Sequence, residues 1–152
     1  MTQESLMKQR MVAAIILFSV TLIALLTFIG LYADERRRVQ ETYQARYEAN
    51  LERVREDVVS YLDAEGDYEM RYRRLTIDMS NAKEFAFLIH NFDEQQIIMN
   101  ELYTVLLKYP EQMQTEENLQ ELYVATGDIL AHLDKGYEEA AELVESIDKL
   151  GH

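Results

Sequence analysis

The 152-residue sequence has no cysteine, one proline and five glycines. Without Cys there can be no disulfide, thiolate metal site or Cys nucleophile. The lone Pro110 leaves long uninterrupted stretches, which favour helices over a turn-rich β fold. Gly30, Gly66, Gly127, Gly136 and Gly151 stand far apart, so the clustered glycines of phosphate loops and dinucleotide folds are missing. A nucleophile elbow is missing too. Histidine is sparse. A bundle carboxylate site needs a Glu three places before a His, but Phe87 precedes His90 and Ile129 precedes His132 at that spacing. No His-Glu-x-x-His occurs. With 28 acidic residues, acidic pairs arise by chance and select no general acid or base. Neither a cofactor, a metal nor an enzymatic activity is expected.

Positive charge is also scarce, and it is unevenly placed. Residues 33–92 hold 13 acidic and 10 basic side chains, whereas residues 93–152 hold 14 acidic and 3 basic, within a total of −13. The split suggests that Arg on early helices faces Glu on the last one. An acidic surface repels phosphate backbones, so no nucleic-acid partner is expected. Glu138, Glu139, Glu142 and Glu145 share helical spacing and read as a solvated acidic face.

One long apolar run is present. Residues 11–33 carry no charge and are rich in Ile, Leu, Val and Phe. As a helix the run reaches roughly 30 Å, the thickness of a hydrocarbon core. Lys8 and Arg10 precede it, and Tyr32, Arg36, Arg37 and Arg38 follow, the flanks that set the depth of a span. The competing reading is a cleavable signal peptide, but the run is too long and Leu31-Tyr32-Ala33 lacks the small residue wanted two places before the final Ala. The division is therefore a basic tail at 1–10, a transmembrane helix at 11–32 and an acidic helical domain at 33–152. Counting the amino terminus, three positive groups lie before the span and four just after it, a slight lean toward a cytoplasmic domain. The location is a cell membrane, crossed once.

The domain has helical periodicity throughout. Val39, Tyr43, Tyr47, Leu51, Val54, Val58 and Leu62 form one stripe, and nothing breaks it before Gly66. Tyr68, Tyr72, Leu75, Met79, Ala82, Ala86 and Ile89 place a second helix at about 67–91, with Phe85, Leu88 and Phe92 widening its apolar face. A third should start at Asp93 as cap, with Gln96 in capping-box position, and stop near Tyr109 because Pro110 cannot continue it. Thr115 should cap a last helix of roughly 35 residues, unless Gly136 breaks it. Six of the ten tyrosines (Tyr43, Tyr47, Tyr68, Tyr72, Tyr123 and Tyr137) lie on stripes; they either line a groove or fill the core with hydroxyls at its rim.

These elements predict an all-α chain: an N-terminal transmembrane helix followed by an antiparallel four-helix bundle with two long and two shorter helices. The layout resembles the sensor bundles of bacterial chemoreceptors, in which a membrane helix runs into the first long bundle helix. There the last helix enters a second span, whereas this sequence ends at Leu150-Gly151-His152 without one. The expected function is a membrane-tethered, non-catalytic module that docks a protein partner or a second copy, with the lipid bilayer as its other partner. The alternative is a small-molecule sensor that works with a separate signalling subunit. A sensor needs a pocket, and a docking module needs an exposed seam.

Overall fold

The computed structural model describes residues 3–147. Within them the chain is all-helical, with six helices and no strand among the described residues. It divides into two compact units at Val39 and Gln40.

Helix α1 (Gln3–Leu62) supplies all of the first unit that is described and the start of the second. No proline interrupts its 60 residues and Gly30 is its only glycine, so backbone propensity favours a single helix. The most apolar 18-residue stretch of its first unit has a mean hydropathy of 2.8, and none of it is buried. Two of its hydroxyls are satisfied locally: those of Thr21 and Thr27 donate to the carbonyls of Leu17 and Ile23 at 2.9 Å. By length and composition this is a helix that can cross a bilayer.

In the second unit, Tyr47, Leu51, Val54 and Val58 of α1 are fully buried, as the stripe predicts. The helix ends just before Gly66, and Asp67 then adopts the left-handed conformation with φ of 57°. Arg71 stabilises the end by donating from Nη1 to the Ser60 carbonyl, in the last turn of the helix, and from Nε to the Gly66 carbonyl in the loop.

Helix α2 (Tyr68–Ala86) buries Tyr72, Leu75, Met79, Ala82 and Ala86 and packs on α3 (Asp93–Lys108). It stops five residues short of the predicted end. Residues 87–92 form a turn in which Asn91 takes φ of 58° and Phe92 is drawn into the core. Side chains from elsewhere hold this turn. Gln40 donates to the Leu88 carbonyl and accepts from the His90 amide, while Gln96 donates to the Ala86 carbonyl. The predicted capping box is corrected accordingly: Phe92, not Asp93, occupies the cap position, and no side chain caps the amides there.

Pro110 ends α3 as expected and then opens α4 (Pro110–Met113), a single turn with Pro in the first position where its missing amide costs nothing. Thr115 caps α5 (Glu116–Ala131), its hydroxyl accepting from the Asn118 amide at 3.3 Å. The single last helix does not form. The chain turns at 132–137, and α6 (Glu138–Ser146) packs back on α5 and α3. Gly136 makes the turn possible, because a Cβ there would lie 2.1 Å from the Asp128 carbonyl oxygen.

Candidate docking groove

The sequence-selected residues of the membrane flank all lie on α1 and are exposed. Lys8 pairs with Glu4 at 3.2 Å. Arg36 sits 5.8 Å from the Tyr32 ring centre, Arg37 pairs with Asp34 at 2.7 Å, and Arg38 pairs with Glu35 at 3.5 Å. Arg10 is exposed at the other end. Local acids thus offset part of the Arg36–38 charge.

The tyrosines divide. Tyr47 and Tyr137 are buried with their hydroxyls 2.8 Å apart, and Phe92 meets both rings edge-on at centroid distances of 5.7 and 5.9 Å. Tyr72 is buried and donates to the Leu106 carbonyl at 2.7 Å. Burial raises all three hydroxyls well above the ordinary tyrosine range, so they remain protonated donors. Tyr43, Tyr68 and Tyr123 stay partly or fully exposed. Three of the six stripe tyrosines therefore fill and staple the core, and the other three stay at the surface.

The expected pairing of early Arg with late Glu is also corrected. Arg74 donates from Nε to Asp57, an ion pair between α2 and α1. Asp57 is 4% exposed; burial first, and then the neighbouring Asp78 carboxylate, raises its pKa against the opposing pull of Arg74. Arg55 contacts α5, but through the Tyr123 ring at 4.1 Å. A guanidinium on a ring face needs no carboxylate, so sequence charge counts could not foresee this contact.

A groove of about 840 Å³ lies open between α5 and α6. Glu116, Glu117, Gln120, Glu121 and Val124 line it from α5; Glu139, Glu142, Leu143 and Ser146 line it from α6. Both sets recur at three- and four-residue spacing, so each is one helix face. Val124 is 54% exposed while Leu143 is almost wholly buried, giving an apolar floor between acidic walls. Among the described residues no Lys or Arg pairs with Glu117, Glu121, Glu139 or Glu142. The predicted acidic face is thus split: Glu139 and Glu142 enter the groove, and Glu138 and Glu145 do not line it. Sequence reading missed the α5 wall because the continuous last helix it favoured could not fold back on itself.

A second groove of about 440 Å³ lies between α2 and α3, bordered by Tyr72, Ile77, Tyr103 and Leu107. No group of three or more His, Asp or Glu among the described residues is placed to hold a metal ion. No protein-family model, curated protein or solved structure matches this chain.

Proposed function

We propose that this protein is a membrane-tethered, non-catalytic docking module. In this reading residues 11–32 cross the bilayer, and the domain lies on the cytoplasmic side. The second half of α1, α2, α3 and the α5/α6 pair act as the rods of an antiparallel four-helix bundle that presents a binding surface. The observation that carries it is the pairing of two features in one chain: an apolar helix segment left wholly unburied, and an open, acidic, apolar-floored groove on the helical domain. The first loses free energy in water unless a bilayer covers it. The second is a seam in which Glu117, Glu121, Glu139 and Glu142 have no cationic partner among the described residues, which supports docking over an enclosed small-molecule site.

The test has two parts. The full-length chain should sediment with membranes, resist high salt and be released by detergent. A photo-crosslinking amino acid at Val124 should then join it to another polypeptide in intact membranes, whereas the same group at the exposed Glu69 should not. Recovery of the intact chain in the detergent-free soluble fraction would refute the tether, and absence of any Val124 adduct would refute the groove.

A further inference from the structure

We infer that the α5/α6 groove accepts a basic amphipathic helix of a partner protein, its Lys or Arg side chains against Glu117, Glu121, Glu139 and Glu142 and its apolar stripe on Val124 and Leu143. This rests on the docking reading above and names the chemistry of the occupant. Shape favours a helix. The groove lies between two helices whose lining residues recur at three- and four-residue spacing, the geometry into which the ridge of a third helix packs.

Charge selects the sign. The four carboxylates have no cationic partner among the described residues and belong to the half of the chain with a net charge of −11. A single divalent ion does not answer this arrangement, because the acids line two walls and do not converge as a ligand set. A row of side-chain cations at helical spacing does, each meeting one wall residue. The exposed Val124 supplies what charge alone lacks, since a purely electrostatic partner would gain nothing from an apolar side chain on the floor. A second copy is a poorer fit. It carries the same charge of −13, and the Arg36–38 segment already stands beside Asp34 and Glu35.

The probe is a fluorescent 18-residue peptide with Leu at i, i+3, i+4 and i+7 spacing and Lys elsewhere. Its anisotropy is measured against the full-length chain in neutral detergent micelles, with empty micelles subtracted. Two control peptides accompany it: one with Glu for Lys, and one with the same composition scrambled so that no apolar face forms. The amphipathic Lys peptide should bind, the controls should bind at least tenfold more weakly, and affinity should fall at least tenfold between low and high salt. The E117Q/E121Q/E139Q/E142Q chain should lose at least tenfold, and V124K should lose a similar factor. The E69Q/E84Q/E94Q/E101Q chain carries the same change in net charge outside the groove and should bind like wild type. Equal losses in both quadruple variants, or equal binding of the scrambled peptide, would overturn the inference in favour of non-specific attraction. A Val124 crosslink to a second copy would overturn it in favour of self-association. If the peptide fails while Val124 still crosslinks to a foreign protein, the basic-helix assignment falls and the docking module stands.

Discussion

At the scale of the residue, the tyrosines show what a helical stripe can and cannot reveal. Spacing placed six tyrosines on helix stripes, and the structure buries three of them, Tyr47, Tyr72 and Tyr137. It could not reveal where their hydroxyls would go, because the partners are tertiary: Tyr47 and Tyr137 are 90 positions apart, and Tyr72 finds a carbonyl on α3. The expectation that such hydroxyls reach the rim fails for these three. The Tyr47–Tyr137 pair also defines a measurable cycle. Tyr137→Phe leaves the Tyr47 hydroxyl buried without its partner, at a cost of about 1–3 kcal/mol. Tyr47→Phe should cost a similar amount. The double variant removes both polar groups and keeps both rings against Phe92, so it should cost well under the sum of the two. Urea unfolding of the full-length chain in neutral detergent, followed by near-ultraviolet circular dichroism, reads all four stabilities. Additive losses would show that the two hydroxyls do not depend on each other.

At the scale of the element, start and stop signals were legible where they are local. Pro110 and Thr115 divided and capped helices as their chemistry dictates, and α1 ended at Leu62, close to the break expected at Gly66, although the left-handed residue is Asp67. They misled where tertiary packing overrides them. Asp93 yields the cap position to Phe92, whose ring is held between Tyr47 and Tyr137. The last helix breaks although Ile129, Leu133, Tyr137, Ala140 and Val144 keep helical spacing across the break, because one helix and a folded pair can bury the same stripe. The discriminating fact is the approach of Gly136 to the Asp128 carbonyl, which no periodicity encodes. Two glycine substitutions should therefore diverge. Gly136→Ala places a methyl against backbone that cannot move aside, and it should destabilise by about 1–3 kcal/mol or more as the turn opens. Gly127→Ala meets only the flexible Arg55 guanidinium at 3.3 Å and gains roughly 1 kcal/mol of helix propensity, so it should be neutral or stabilising. Thermal midpoints of the two variants against wild type separate the cases, and a neutral Gly136→Ala would remove the packing argument for the break.

At the scale of the whole molecule, two forces act on α6 with opposite sign. The uneven charge suggested that electrostatics joins the last helix to the rest, but the described contacts of α6 are apolar: Tyr137 just before it, Leu143 and Val144 within it and Ile147 just after it are buried. Their burial contributes roughly 1.5–3 kcal/mol each, or about 6–12 kcal/mol together, against a whole-domain stability of about 5–15 kcal/mol. The acidic side chains beyond Leu133 repel the rest of an acidic chain, and each such surface term is worth at most about 1 kcal/mol. Burial should win. A chain ending at Leu133 should still sediment with membranes but lose protease resistance in its helical domain, with Leu102 and Leu106 of α3 losing amide-exchange protection. The E138Q/E139Q/E142Q/E145Q chain separates the two forces. It removes four negative charges from the same helix and keeps every apolar contact, so it should retain protection and gain slightly in stability at low salt. Loss of protection in the glutamine variant would mean that charge, and not the apolar seam, holds α6 in place, and retained protection in the truncated chain would mean that α6 does not support the core.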